Sequence, residues 1–203
     1  MIKIKVARAY VTFILIFVNL VVFILEMRSG GSTDLPTLYR LGALVSENIK
    51  QGEWWRLINA NFLHFGWFHL ISNMLALFFI GSIVELSIGV ERYLIVYLLS
   101  GTGSMLTFAL LANYTGQVQV VLMGASAAIM GTIGTMLTTS LADWLEYRTS
   151  LKAKRLQTVI FVVVLQFILD NIIPNVSFYS HLFGFIIGFV VSLILMRWKF
   201  SFK

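Results

Sequence analysis

Six long apolar segments limit what this chain can fold into. They cover residues 10–25, 67–88, 93–112, 118–141, 156–173 and 178–196, with approximate ends. A hydrocarbon core about 30 Å thick needs roughly 20 predominantly apolar residues in a helix. Of the 203 residues, 59% are apolar and only 12% are charged, about half the charged share of a soluble domain. The sequence therefore predicts an all-α membrane protein with six transmembrane helices in a single domain, residues 1–203.

The basic residues predict how the chain crosses the membrane. The start MIKIKVAR precedes an apolar run without a convincing cleavage site, and we interpret it as the beginning of an uncleaved first span. If the N-terminus is cytoplasmic, only Arg28, Arg40, Lys50 and Arg56 of the 15 basic residues lie outside. The positive-inside rule then places both termini in the cytoplasm. The cluster DWLEYRTSLKAKR is interpreted as a topology anchor rather than an anionic-lipid or partner site.

Composition also excludes several classes of chemistry. The net charge of +6 is explained by basic residues beside membrane spans, so no nucleic-acid partner is expected. The chain has no cysteine, which excludes disulfides, thiolate metal sites and cysteine nucleophiles. No His-Glu-x-x-His motif is present either, so we expect neither a metal nor a cofactor.

Two connections between the spans carry a structural prediction. Between spans one and two lie about 40 residues that are too apolar for a free tether, so we expect them to fold at the outer membrane interface. Pro174 and Asn175 predict a turn between spans five and six.

Polar residues at one level of the membrane are the strongest functional signal. His64, His69 and Asn73 lie at the outer start of span two, Ser126 about a third of the way into span four, and His181 one turn into span six. Each alone has a simpler interpretation: a small serine that aids helix packing, an interfacial histidine bonded to a carbonyl, or a pair that ties the loop to the bundle. Together they place a hydroxyl, imidazoles and an amide at similar depth, where polar groups are costly.

Two stripes of small or polar residues predict that spans four and six pack closely. One contains His181, Gly184, Gly188 and Ser192, and the other contains Ser126, Met130 and Gly134. Close packing would bring His181 within hydrogen-bond reach of Ser126. A serine hydroxyl needs such a base before it can act as a nucleophile.

Four segments, in this order, are similar to the motifs of a known family. They are EWWRLINANFLHFGWFHLISNML, GSIVELSIG, GASAAIMG and SHLFGFIIG, from Glu53 to Gly188. They resemble the Trp-Arg loop and His-x4-His-x3-Asn element, the Gly-x3-Glu-x3-Gly element, the nucleophile segment and the His-x2-Gly-x3-Gly element of rhomboid intramembrane serine proteases of the bacterial six-span type. The resemblance implies a rhomboid-like bundle with a long interfacial loop between helices one and two.

The resemblance also implies roles for individual residues. Ser126 would be the nucleophile and His181 the general base, while Asn73 and His69, with the Ser126 backbone N–H, would stabilise the oxyanion. Structural support would come from Arg56, Glu85, Gly124, Gly184 and Gly188, with His64 also structural.

Two positions depart from the family pattern. Ala127 stands where the family usually has Gly after the nucleophile, and Met130 stands where it often has Tyr or Phe against the catalytic histidine. Ala127 requires the turn into span four to accommodate a Cβ, and a thioether orients an imidazole less rigidly than a ring does.

The function implied is hydrolysis of peptide bonds in or near the transmembrane segments of single-span membrane proteins. The resemblance places the protein in the bilayer of a bacterial plasma membrane, with its site towards the outer face. It says nothing of oligomeric state. The main alternative is a catalytically impaired rhomboid-like protein that binds membrane helices. A transporter is disfavoured because the polar residues lie too far outward and no inverted repeat is present.

Asp170 is the one aspartate near a span on the outer side, eleven positions before His181. It could orient His181 as a third catalytic member, but the sequence favours a helix-end or loop contact for it.

Overall fold

Most of the chain is helical. The computed structural model describes residues 9–172 and 176–200, with side chains as far as residue 196. The helices are α1 (Tyr10–Ser29), α2 (Leu35–Leu41), α3 (Ser46–Lys50), α4 (Arg56–Asn59), α5 (Gly66–Ala76), α6 (Ser82–Ile88), α7 (Val90–Thr115), α8 (Ser126–Tyr147), α9 (Ser150–Ile172) and α10 (Phe178–Phe200). A 3₁₀ turn, Ala60–Phe62, follows α4, and a π-helical turn, Leu77–Gly81, joins α5 to α6.

Several predictions fall on residues outside these ranges. They are the turn at Pro174 and Asn175 and the terminal basic residues that support the orientation: Lys3, Lys5, Arg8, Lys203 and the side chains of Arg197 and Lys199.

Five helices among the described residues are long and apolar enough to cross a membrane. They are Tyr10–Ser29, Gly66–Ile88, Val90–Thr115, Ser150–Ile172 and Phe178–Met196. Each corresponds to one of the predicted spans. The remaining predicted span, 118–141, contains α8, which has 22 residues but is not one of these five.

Helix α8 is less apolar because protein, rather than lipid, surrounds it. It packs against α5, α6, α7, α9 and α10, and residues from Ala127 to Thr135 are buried without interruption. Its threonine hydroxyls are bonded within the helix, as where Thr132 donates to the Ile129 carbonyl at 2.7 Å. A buried helix with satisfied hydroxyls can tolerate the polarity that a lipid-facing helix cannot.

The segment before α8 is extended, whereas the sequence predicted a helix from residue 118. Val121–Leu122 forms β2, which pairs antiparallel with β1, Leu44–Val45. Gly124 then turns the chain with φ +122° before α8 starts. The apolar content of 118–125 is thus explained by a short buried strand pair, since hydropathy alone does not distinguish a short strand from a helical end.

The connection between α1 and α5 is folded and packs on the bundle. Leu44, Ile49 and Leu57 are buried against Met105 and Ala109 of α7. This burial explains the unusual apolar content of the connection. Its predicted position at the outer membrane interface stays a prediction.

Helices α8 and α10 approach so closely that glycine is required along their contact. A Cβ added at Gly184 would overlap the Ala127 carbonyl, and one at Gly188 would overlap the backbone of Gly131. A Cβ at Gly134 would meet the Phe185 carbonyl. Further along, Ser192 Oγ lies 2.9 Å from Thr138 Oγ1. The predicted face of α10 is confirmed, but on α8 Ala127 and Gly131 make the contact in place of Met130.

Candidate active site

Ser126 is the first residue of α8 and is half-buried. The sequence predicted a position a third of the way into a span, and this is corrected by the later start of the helix. The first backbone N–H groups of a helix have no partner within it, and they carry the positive end of its dipole. Ser126 therefore combines a hydroxyl with an N–H that is free to bind a developing negative charge.

Gly124 is held in place from both sides. Its N–H donates to the Ala60 carbonyl at 2.8 Å, which ties the segment before Ser126 to the 3₁₀ turn. A Cβ at Gly124 would lie 2.7 Å from Cε1 and Nε2 of His69. Glycine at this position thus lets the His69 ring lie directly against the segment that carries Ser126.

The hydrogen bonds of His69 identify its tautomer. The Phe65 backbone N–H donates to His69 Nδ1 at 3.2 Å, so Nδ1 has no proton and a neutral ring carries its proton on Nε2. That Nε2 is the atom that faces Gly124. Asn73 is buried one turn further along α5 and donates its amide to the His69 carbonyl at 2.9 Å. His69 is therefore a hydrogen-bond donor that faces Gly124, two residues before Ser126.

His64 lies behind His69 and is fully buried. Its backbone N–H donates to Glu26 Oε1 at 3.0 Å, and its ring meets that of His69 edge-on with centroids 5.1 Å apart. Burial lowers the pKa of His64 to about 3, so its ring is neutral at physiological pH. His64 packs against His69 and connects it to α1.

His181 lies one turn before Gly184 in α10 and is buried. Because Gly184 rests on the Ala127 carbonyl, His181 lies at the same end of the α8–α10 pair as Ser126. Ser104 Oγ of α7 donates to the Ser180 carbonyl at 2.6 Å and fixes the start of α10. Among the described residues no hydrogen bond joins Ser126 to His181. Such bonds are often long before substrate binds.

Asp170 contacts His181 directly, and the expected helix-end or loop contact is wrong. Asp170 Oδ2 lies 2.8 Å from His181 Nδ1, and Gln166 Nε2 donates to Asp170 Oδ1 at 2.7 Å. The Asp170 side chain is only 1% exposed. The available sequence signal was a carboxylate in a membrane helix, since such groups are usually paired and functional.

Arg56 braces the folded connection between α1 and α5. Its Nη1 donates to the carbonyls of Tyr39 and Ala43 at 2.7 and 2.9 Å, and its Nε pairs with Glu53. The hydrogen bond from Arg56 holds the pKa of the Glu53 carboxyl below its usual range. Arg56 thereby joins the end of α2, the residue before β1 and the start of α4.

Glu85, in the middle of α6, fixes the start of α1. Its carboxylate accepts from the backbone N–H of Val11 at 3.0 Å and from the N–H and hydroxyl of Thr12 at 2.8 and 2.7 Å. These are groups at the first turn of α1, which have no partner within the helix. A buried carboxylate is thus satisfied by unpaired helix donors.

The two departures from the family pattern have different structural consequences. Ala127 is the second residue of α8 and has a negative φ, so its Cβ causes no backbone strain. Met130 is also buried in α8. In place of the aromatic ring usual at that position, the Asp170 carboxylate holds the His181 imidazole. Within the described ranges no three His, Cys, Asp or Glu side chains form a metal-binding group.

Comparison with known proteins gives consistent matches. Residues 51–198 match the model of the Rhomboid domain. RHOMBOID-like protein 5 of Arabidopsis thaliana is 36% identical over 163 residues, which cover 80% of this chain and 51% of that protein. Rhomboid protease GluP of Bacillus subtilis is 39% identical over 133 residues, covering 65% of this chain and 25% of that protein. The chain thus spans about half, or less, of the length of these relatives.

Proposed function

This chain belongs to the rhomboid family and is an integral multi-pass membrane protein, and from that premise we propose that it is an intramembrane serine endopeptidase. It would hydrolyse peptide bonds in or near the transmembrane segments of single-span membrane proteins. The observation that supports this most directly is the seam between α8 and α10, where Gly184 on the Ala127 carbonyl brings the ends that carry Ser126 and His181 together.

The proposed reaction has two halves. Ser126 Oγ attacks the scissile carbonyl while His181 Nε2 accepts the hydroxyl proton. His181 then returns that proton to the leaving amine, and an acyl-enzyme remains on Ser126. A water molecule, deprotonated by the same imidazole, attacks the ester and releases the second product.

The proposed oxyanion site uses donors that the tertiary contacts orient. His69 Nε2–H faces Gly124, the Ser126 N–H is free at the start of α8, and the Asn73 amide has a second N–H beyond the one that it gives to His69. Loss of one such donor typically lowers the rate by about 10² to 10³. Gly124 allows these groups to converge because it adds no Cβ between them.

The proposed substrates reach this site from the bilayer past α9. Of the 23 residues of α9, only Val159 and Asp170 are buried, so this helix has little packing against the bundle. The family resemblance adds a preference for small residues at the cleavage site. We further propose a bacterial plasma membrane, cytoplasmic termini and a site towards the outer face.

Cleavage of a reporter tests the proposal. The protein is reconstituted in liposomes with a single-span reporter, and wild type is compared with Ser126→Ala and His181→Ala. We expect wild type to cleave the reporter and to react with a fluorophosphonate, and both substitutions to abolish cleavage. Ser140→Ala is the matched control, because Ser140 lies on the same helix, is buried and has no hydrogen-bond partner for its hydroxyl in the described structure.

The result also separates the alternative function. Cleavage by Ser126→Ala would disprove the assignment of the nucleophile. A wild type that neither cleaves nor labels, yet retains the reporter on purification, would instead support a catalytically impaired protein that binds membrane helices.

A further inference from the structure

We propose that Asp170 is a positioning residue that holds His181 in the protonation and orientation required to activate Ser126. This rests on the proposed protease function and adds a third member to the Ser126 and His181 pair. The contact joins two helices, since Asp170 lies near the end of α9 and His181 near the start of α10.

The first support is the geometry of the contact. Asp170 Oδ2 is 2.8 Å from His181 Nδ1, with both side chains buried. An ionised carboxylate offers only acceptors, so Nδ1 must carry the proton in this contact. In the neutral ring Nε2 then has a free lone pair. That is the nitrogen a base must present to a serine hydroxyl.

The second support is that the carboxylate itself is held. Gln166, one turn earlier on α9, donates to Asp170 Oδ1 at 2.7 Å, which leaves Oδ2 for His181. A side-chain amide that donates to one oxygen restricts rotation of the carboxylate. Its orientation is therefore set by α9 before any substrate binds.

The third support is the location of Asp170 on its helix. Only it and Val159 are buried on α9, although most other residues of the helix are apolar. A carboxylate in a membrane helix loses its hydration, and this desolvation free energy must be offset by hydrogen-bonding or charged partners. Two partners at 2.7 and 2.8 Å supply that compensation, and one of them is His181.

Protons remain balanced in this arrangement. The Ser126 proton moves to His181 Nε2, the Nδ1 proton stays on the ring, and Asp170 stays ionised. The carboxylate stabilises the imidazolium that forms and then favours the same tautomer once Nε2 has given its proton to the leaving amine. His69 Nδ1 accepts a hydrogen bond from the Phe65 backbone N–H, so the His69 ring is neutral and adds no second positive charge to the site.

Replacement of the charge, with shape preserved, is the decisive change. Asp170→Asn keeps a hydrogen-bonding side chain between α9 and α10, but its amide can donate to Nδ1 and so favour the wrong tautomer. We expect kcat to fall by about 10² to 10⁴ while KM changes by less than about threefold. Asp170→Glu, which restores the charge, should recover part of kcat.

A neighbouring residue provides the control. Asn171 follows Asp170, is exposed and donates only to the Phe167 carbonyl of its own helix. Asn171→Ala should keep wild-type kcat and KM. Equal thermal unfolding midpoints for all variants would show that the loss in Asp170→Asn is not a loss of fold.

A spectroscopic measurement tests positioning without activity. The chain has only three histidines, so ¹⁵N-histidine spectra are simple, and His181→Ala identifies the His181 signals. We expect a proton on His181 Nδ1 in wild type and a shift towards Nε2 in Asp170→Asn. An unchanged tautomer in the variant, or Nε2–H in wild type, would overturn the proposal.

The two hypotheses fail in different ways. If wild type cleaves and Ser126→Ala does not, but Asp170→Asn retains wild-type kcat, the positioning role is disproved and the protease function stands. If wild type is inactive and Ser126 does not label, the protease function fails, and the tautomer of His181 still decides whether Asp170 positions it.

Discussion

Gly124 cannot be exchanged for a larger residue for two independent reasons. Its φ of +122° lies in a region that L side chains rarely adopt, and an added Cβ would lie 2.7 Å from the His69 ring. The strained φ would lower the free energy of unfolding by about 1–3 kcal/mol. The contact between the added Cβ and the ring would displace His69, and a displacement of about 1 Å near reacting groups lowers the rate about 10²-fold.

We therefore expect Gly124→Ala to lower the rate of reporter cleavage at least about 100-fold. The thermal unfolding midpoint should fall only modestly. Gly31→Ala is a matched control, since Gly31 has φ +116° but nothing within 4 Å of an added Cβ. Gly31→Ala should carry the same backbone strain as Gly124→Ala but cleave the reporter at the wild-type rate. Equal activities for the two variants would show that the contact with His69 is irrelevant to cleavage.

At the scale of elements, the seam between α8 and α10 determines whether the site forms. Backbone lies against backbone there, so a Cβ at Gly188 would meet Gly131 atoms that have no rotamer to change. Overpacking of a rigid contact typically costs about 1–3 kcal/mol. Displacement of α10 would also withdraw His181 from Ser126.

Gly188→Leu is accordingly expected to abolish cleavage, and Gly188→Ala to reduce it strongly. Gly103→Ala is the control for the smaller change, because its Cβ would meet only the flexible end of Ile187, at 2.9 Å. Rates measured on the reconstituted reporter give the comparison. Full activity in Gly188→Leu would refute the close approach of the two helices.

At the scale of the whole molecule, the distribution of basic residues predicts the orientation in the membrane. The positive-inside rule predicts cytoplasmic termini, which places the folded connection and β2 outside and the α8–α9 turn inside. Beside that turn, Asp143 of α8 pairs with Lys152 and Arg155 of α9, so part of the basic cluster is neutralised locally. The remaining basic residues still favour the cytoplasmic side.

Single cysteines can test this directly, because the natural chain has none. Lys50→Cys and Gln119→Cys, both at exposed positions, should react with an impermeant maleimide in intact cells. Lys154→Cys, also exposed, should react only after lysis. The unmodified protein gives the background, and the reverse labelling pattern would invert the proposed topology.

The sequence was informative wherever the signal is local. Apolar length predicted each long helix, and polar side chains in apolar surroundings indicated Ser126, His181, His69 and Asn73, because both properties belong to residues individually. The small residues of α10 likewise predicted its packing face, which the structure confirms.

The rest required the packed molecule. The start of α8 at Ser126 depends on the pairing of β2 with β1, in which Val121 pairs with Val45 and Leu122 with Leu44, a register that no local pattern specifies. The face of α8 that meets α10 contains Ala127 and Gly131 instead of the predicted Met130, because helix rotation is set by the neighbours on all sides. Asp170 reaches His181 only because the end of α9 lies beside the start of α10. The sequence thus determined which reactive side chains the protein places in the membrane. The packing of distant segments decided which of these side chains are in contact.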